Sequence, residues 1–290
     1  MASSDEPSTY RAAVSGSEAN KWLLAISEEV QSLEVNKTWQ VVDKTRDMNI
    51  IGSRWIFKKK KDVNGQVQKY KARLVAKGYD QEYGIDFCET FAPVLKYKTL
   101  RVILALSVIF GYQLAQLDVK TAFLNASINE DLYMEVPDGI DADRSSKVLK
   151  LLKALYGTKQ APRAWNSNIN QLLVSMKFYR CSKDTCIYIR KSTTGRNIII
   201  GIFVDDMIIA YDDRDSKEWY TIKQLLKSKY QISDLGALHH ILGMKITRDT
   251  HNLYISQHTY INDKLVTYNM NECVTISTPE AVLRLSLIHI

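Results

Sequence analysis

Ile198-Ile199-Ile200-Gly201-Ile202-Phe203-Val204-Asp205-Asp206-Met207-Ile208-Ile209-Ala210 is the stretch on which the fold turns. Each flank reads as a buried strand, because apolar residues run without alternation. The Asp pair breaks the run, so residues 198–211 are expected to be two strands meeting at a hairpin tip. Adjacent carboxylates are costly there, since burial and mutual repulsion both oppose ionisation. No Lys or Arg lies nearby in sequence to pair with them. An ordinary turn, where Asp is common, is the plain explanation. A divalent cation neutralising both carboxylates is the functional one.

Asp118 has a similar setting. It follows the strand expected over Gln113–Val119 and precedes Thr121-Ala122-Phe123-Leu124. A lone Asp at a strand end is usually a cap or a turn. One carboxylate at a strand end and two at a hairpin tip are also what a two-metal site requires. Mg²⁺ prefers hard oxygen ligands and keeps positions open for substrate phosphates. Two such ions about 3.5–4 Å apart can activate a hydroxyl and stabilise a leaving pyrophosphate.

Working outward, Arg54–Lys61 and Gln66–Lys77 read as strands flanking Asn64-Gly65, a strong hairpin signal. They alternate basic with apolar residues, so one face packs and the other presents cations. Arg54–Arg101 holds 12 Lys or Arg and 5 Asp or Glu, whereas the rest of the chain carries 27 of each. The whole excess of +7 therefore sits in this stretch. A solvated face explains it blandly; a phosphate-bearing partner explains it more sharply. Helices are expected over Glu18–Asn36 with Ser17 as N-cap, over Thr99–Phe110 as a buried helix, over Ala161–Phe178 with Pro162 in its first turn, and over Asp215–Tyr230. A last hairpin should turn near Arg248–Asn252. Strands and helices interleave without a βαβ repeat, an α+β pattern.

The composition, 46% hydrophobic and 24% charged, suits a packed core. No apolar run reaches the roughly 20 residues of a membrane span, and the N-terminus has no signal-peptide core. Cys88, Cys181, Cys186 and Cys273 show no zinc spacing and read as reduced, mostly buried thiols. No membrane partner and no secretion are expected.

Seven segments, taken together, resemble the reverse transcriptase of copia-type LTR retrotransposons. They are Arg54-Trp55-Ile56-Phe57-Lys58, Tyr70–Gly78, Glu89–Val94, Gln116–Asn125, Leu155-Tyr156-Gly157 with Lys159–Trp165, Phe203–Asp206, and Leu235-Gly236 with Leu242-Gly243-Met244. The resemblance covers about residues 5–280 and implies a right-hand polymerase with fingers and palm and an incomplete thumb or connection. It implies a loose lead-in over 1–16 and a reverse transcriptase domain over 17–280. Fingers would span about 37–111 and 128–165, palm about 112–127 and 166–256, and the start of the thumb or connection 257–284. Asp118, Asp205 and Asp206 take the catalytic and metal-ligating positions, with two Mg²⁺ or, in their place, Mn²⁺. Phe123 takes the place beneath the incoming sugar and Gln160 the place against the nucleotide. Lys71 and Arg73 are the candidates for the triphosphate, with the choice between them open. Lys58, Lys59, Lys60, Lys61 and Lys77, and the primer-grip-like Leu242, Gly243 and Met244, are the candidate nucleic-acid contacts. Phe203 and Thr158 depart from the usual Tyr and Leu without removing a metal ligand.

The implied partners are an RNA or DNA template with primer, dNTPs, and an integrase and ribonuclease H on the same polyprotein. The implied location is the cytoplasm, within the element's virus-like particle, or the nucleus. A nucleotidyl cyclase would also use paired acids and Mg²⁺, but the basic hairpin and Lys159–Arg163 favour a template-using enzyme. A non-catalytic nucleic-acid-binding relic is the alternative of another class. Leu285–Ile290 resembles a translated sequencing adapter and is left out of the fold.

Overall fold

The structure, a computed structural model, describes residues 6–61 and 66–274. The Asn64-Gly65 turn and the Leu285–Ile290 tail lie outside the described residues. The chain forms two compact units that part between Gly236 and Ala237.

The first unit opens with α1 (Tyr10–Ser15) and α2 (Ala19–Val35). α1 corrects the expectation of a loose lead-in. Thr9 caps it by accepting from the Ala12 amide at 3.2 Å, and Ala13 is buried. α2 has Glu18, not Ser17, at its N-cap position, without a capping hydrogen bond. The Glu18 carboxylate is taken up by Lys59 and by the Tyr70 hydroxyl.

Next come β1 (Trp39–Asp43), β2 (Ile50–Ile51), and the long strands β3 (Ser53–Lys61) and β4 (Val67–Ala76). β3 and β4 pair antiparallel, with Phe57 opposite Ala72 and Lys58 opposite Lys71. Period-two alternation turns Trp55, Phe57, Ala72 and Leu74 to the core, all of them buried. α3 (Tyr97–Ile109) follows. It was expected to be buried all round, but only Leu100, Ile103, Leu104 and Ser107 are; Val102 and Ile109 face solvent.

β5 (Gln113–Val119), β6 (Ser127–Met134), β7 (Lys147–Lys153), α4 (Ala161–Ser175), β8 (Tyr179–Arg180), β9 (Ile187–Lys191), β10 (Asn197–Phe203), β11 (Asp206–Tyr211), α5 (Ser216–Lys229) and β12 (Ile232–Ala237) complete the unit. The strands form a six-stranded sheet ordered β12-β5-β11-β10-β9-β8 and a four-stranded sheet ordered β1-β7-β6-β2. One core packs α4 and α5, through Trp165, Ile169, Trp219 and Ile222, onto Leu117, Ile200 and Ile209 of the larger sheet. The other joins α1 and α2 to the β3–β4 hairpin and the smaller sheet. Among the described residues only Cys186 is a buried thiol; Cys88 and Cys273 are exposed and Cys181 is intermediate, which corrects the expectation of mostly buried cysteines.

The second unit holds β13 (His240–Ile241), β14 (Met244–Arg248), β15 (Leu253–Ser256) and α6 (His258–Thr267). Leu242 and Gly243 form the two-residue turn between β13 and β14, at φ +49° and +76°. Two successive positive φ values match the right-handed twist of the strands they join.

The end of β4 is tied to the loop at 154–160 by direct backbone contact. The Ala76 amide donates to the Tyr156 carbonyl at 2.8 Å. A Cβ on Gly157 would lie 2.1 Å from the Ala76 oxygen, and Gly157 already sits at φ +94°. Gly157→Ala is therefore expected to lower the melting temperature by several degrees, since strain of about 1–3 kcal/mol moves a domain of this size by about 2–4 °C per kcal/mol. Thermal unfolding followed by circular dichroism checks this; an unchanged transition contradicts the close approach.

Candidate active site

The β10–β11 hairpin positions two of the three acids. Phe203 pairs with Asp206, leaving Val204 and Asp205 as the two turn residues. Val204 sits at φ +55°, a left-handed conformation that disfavours a β-branched side chain. Such strain persists only where the surroundings over-determine it. Here the Trp165 indole, buried on α4, donates to the Val204 carbonyl at 2.7 Å.

β5 supplies the third acid. In its antiparallel pairing with β11, Asp118 stands directly opposite Asp206. Residues so paired have Cβ atoms about 4.5–5.5 Å apart. The Val119 amide donates to the Asp205 carbonyl at 2.9 Å, and Gln116 Nε2 donates to Asp206 Oδ1 at 3.1 Å. Burial pushes the Asp118 carboxyl above the usual range; Asp205 adds to the shift, and Lys71, Lys60 and Lys120 oppose it. Asp206 is also raised, mainly by burial, with its Gln116 hydrogen bond opposing. Among the described residues no three His, Cys, Asp or Glu side chains converge into a closed metal cage. The carboxylates form an open floor of hard oxygens. That donor set fits an ion bound through one or two carboxylates and completed by water and substrate phosphates.

The basic hairpin faces this floor. Lys60, Lys69, Lys71, Arg73 and Tyr156 share with Asp118 and Asp205 the lining of a cavity of about 500 Å³. α2 contributes Glu28 and Glu29 to the same lining. Burial lowers the Lys71 ammonium from its ordinary value, reinforced by Arg73 and Lys60, while Glu29 and Asp118 pull it back up. Lys58, Lys60, Lys69, Lys71 and Arg73 alternate onto one face of the hairpin, as the register requires. Lys59 points the other way. Its ammonium meets Glu18 at 2.6 Å and its side chain is only 9% exposed. Lys58 is exposed and lies 3.9 Å from Glu6, and Lys77 packs against Gly52. The Lys61 side chain lies outside the described residues.

Past Asp118, Thr121 adopts φ +48° and starts a short 3-10 turn, Ala122–Asn125. That turn buries Phe123 in the core of the six-stranded sheet. Its ring centroid is 4.7 Å from that of Tyr156, and it also lines a 260 Å³ cavity with Pro93, Trp165 and Val204. Gln160 is buried, and both ends of its amide are used within the protein. Nε2 donates to the Asp86 carbonyl and Oε1 accepts from Gln81 Nε2, both at 2.9 Å. Buried Thr158 donates its hydroxyl to the Leu155 carbonyl at 2.9 Å, so the departure from Leu leaves no bare polar group. Leu242, Gly243 and Met244 lie in the second unit.

Several residues with a part in the site were not singled out by sequence. Trp165, Tyr156, Gln116 and Lys120 sat inside the quoted motifs, whereas Glu29 carried no local signal. A carboxyl whose pKa is raised on folding lets the folded state hold more protons than the unfolded one across the window between the two values. Stability from that group is therefore present below the unfolded pKa of about 3.9 and is lost as pH rises through the folded value. In EDTA, Asp118→Asn should raise the melting temperature at pH 7, and the gain should vanish near pH 3.5, where the wild-type carboxyl is protonated. A variant destabilised at both pH values would contradict the repulsive pair.

The sequence profile of the family described as reverse transcriptase (RNA-dependent DNA polymerase) matches residues 36–282. The chain is 38% identical over 279 residues to a retrovirus-related Pol polyprotein from transposon TNT 1-94 of Nicotiana tabacum, covering 95% of this chain and 21% of that protein. It is 37% identical over 284 residues to the Pol polyprotein from transposon RE1 of Arabidopsis thaliana, covering 97% and 19%. The chain thus spans about a fifth of the length of these relatives. A solved structure of the foamy viral protease-reverse transcriptase in complex with double-stranded DNA aligns with 89% of this chain and 38% of that one, at 14% identity and a TM-score of 0.43. With the family profile matching residues 36–282 and copia-type Pol polyproteins aligning with 95–97% of the chain, the chain belongs to the reverse transcriptase family of retrotransposon Pol polyproteins.

Proposed function

We propose that this chain is an RNA-directed DNA polymerase that adds dNTPs to a primer 3′-hydroxyl. The observation that carries the reading is Asp118, set opposite Asp206 in register and sharing with Asp205 a cavity lining that also holds Lys71 and Arg73. In the reaction the 3′-oxygen bonds to the α-phosphorus of the nucleotide, the bond to the β-phosphate breaks, and pyrophosphate leaves. Asp118, Asp205 and Asp206 would hold two divalent cations, which supply positive charge at the attacking and leaving oxygens. Lys71 and Arg73 bind the triphosphate, the guanidinium as a fork and the ammonium as a point charge. Phe123 sets the floor of the sugar pocket. Gln160, tied to Gln81 and Asp86, holds the loop at 154–160 in place rather than reaching out to the base.

The β3–β4 hairpin and its helices act as fingers and the six-stranded sheet as palm. The palm runs on to about residue 256, with its Leu242-Gly243-Met244 turn against the primer, and the thumb or connection starts at 257. In a whole Pol polyprotein, an integrase and a ribonuclease H would accompany it, in the cytoplasmic particle or the nucleus.

Primer extension on poly(rA)/oligo(dT) with Mg²⁺ tests the reaction. Asp205→Asn and Asp118→Asn should abolish extension while leaving template–primer affinity near normal. Extension at about a tenth or more of the wild-type rate, a deficit of only about 1.4 kcal/mol in barrier, would sink the assignment.

The cations on the two hairpin faces should also separate. Lys60→Ala should reduce the log–log salt slope of template–primer binding by about 1, the loss of one phosphate contact. Lys59→Ala should leave the slope unchanged and lower the melting temperature, because it removes the cation nearest Glu18, at 2.6 Å, and leaves only the more distant Lys21. Equal slopes for the two variants would return the basic run to a solvated face.

A further inference from the structure

The loop at 154–160 carries a side chain that the proposed chemistry has not used. Tyr156 is half-buried beside the acids, and its ring meets both ends of the expected nucleotide pocket. The Arg73 guanidinium lies 4.6 Å from the ring centroid, within range of a cation–π contact. The Phe123 ring lies 4.7 Å from it at an interplanar angle of 55°, a tilted aromatic pair. Arg73 is on the hairpin and Phe123 is on the turn after β5, so one ring touches two elements that sequence places about 50 residues apart. The backbone around Tyr156 does not yield. Its carbonyl accepts from the Ala76 amide, and Gly157 and Gly78 are packed too closely to admit a Cβ. Both close contacts use the ring and not the hydroxyl.

Resting on the polymerase reading, we infer that Tyr156 is a positioning residue whose ring couples the triphosphate-binding Arg73 to the sugar-facing Phe123, so that discrimination against ribonucleotides depends on a residue that need not touch the sugar. Phe123 can reject a 2′-hydroxyl only if it cannot tilt away. A packed ring on one side removes that freedom, because overlap is repulsive and a packed side chain has nowhere to go. The same ring limits where Arg73 can put its fork. Movement at either end should then be felt at the other.

Equilibrium binding on a dideoxy-terminated primer–template tests this without turnover. Apparent Kd values are measured for Mg·dTTP and Mg·UTP opposite adenine, for the wild type and for Tyr156→Phe, Tyr156→Leu, Arg73→Leu and Phe123→Val. Tyr156→Phe should keep the wild-type Kd ratio, since the ring is retained. Tyr156→Leu should lower the preference for dTTP by about threefold to tenfold, the scale of one lost aromatic pair, and weaken both nucleotides. Arg73→Leu keeps the tyrosine and covers the case in which Tyr156→Leu does not fold. If Arg73 met only phosphates, both nucleotides would weaken equally, whereas coupling through Tyr156 predicts that the ratio falls too. Tyr156→Leu or Arg73→Leu with the wild-type ratio, in a wild type that does discriminate, overturns this inference and leaves the polymerase reading standing. A wild type that binds neither nucleotide overturns the polymerase reading and the inference with it. Phe123→Val with an unchanged ratio removes the sugar-facing role, and the coupling to it, but not the polymerase.

Discussion

Two carboxylates facing each other across a buried antiparallel ladder repel, and the rest of the first unit is arranged so that they stay there. Asp118 and Asp206 sit at the ends of strands whose inward residues, Leu117, Met207, Ile208 and Ile209, are wholly buried. The sheet gives them little room to separate, because a one-residue slip would exchange the two buried faces of β11 and break the packing on both. Burial, and after it the neighbouring carboxylates, raises the pKa values of both carboxyls, with Lys71, Lys60 and Lys120 opposing at Asp118 and the Gln116 amide opposing at Asp206. A turn with Val204 in a left-handed conformation is tolerable for the same reason. The two strands hold it from one side, and Trp165 holds its carbonyl from the other.

The hairpin opposite solves the converse problem of too many cations. Nine strand residues of β3 hold five Lys or Arg, and β4 adds three more. If all stood on one side, their mutual repulsion would work against pairing. The alternation of the strands divides them. Lys59 goes to the packed face, where Glu18 neutralises it and the Tyr70 ring lies near. Lys69 is met by Glu28 at 3.0 Å, and the Leu74 amide donates to Glu29 at 3.2 Å. The acids of α2 thus reduce the charge on the hairpin, with Glu29 acting on both Arg73 and Lys71, while the Arg73 guanidinium lies against the ring of Tyr156. Lys71 and Lys60 of that face act in turn on Asp118.

Much of this was legible in the residues, because the signals were local. The apolar runs around Asp205-Asp206 marked β10 and β11, and the bounds expected for β5, Gln113–Val119, are those observed. The hairpin strands followed from period-two alternation. What escaped the sequence were features whose cause lies far along the chain. α1 is too short and too polar to show periodicity, and it forms because Ala13 finds a core and Thr9 a backbone amide. Lys58 to Lys61 read as one basic run, although strand geometry and an acid about 40 residues upstream remove Lys59 from it. The apolar composition of α3 suggested burial on all sides, yet a single core contacts only one side of it. Gln160 carried a motif signal for nucleotide contact, but its amide partners, Gln81 and Asp86, are roughly 75–80 residues away.

The seam between the hairpin and the sheet is the part with the least slack. Side-chain contacts can relax by changing rotamer, so a site assembled only from them would tolerate drift between its cations and its acids. Here the closest approach is between backbones. Gly78 and Gly157 leave no space for a Cβ, each meeting a carbonyl within about 2 Å of where one would be. The Ala76 amide closes onto the Tyr156 carbonyl in the same place. The separation of β4 from the loop at 154–160 is therefore set by covalent geometry and one hydrogen bond, not by the packing of flexible groups. Any element carried by that loop inherits its precision. Tyr156 is the first side chain beyond the seam, and Gln160 is the last before α4, locked through Gln81 to the segment that follows β4. A hairpin fixed to the loop at both points has little freedom to swing as a hinge there. Arg73, three residues before Ala76, stays where the ring of Tyr156 holds it.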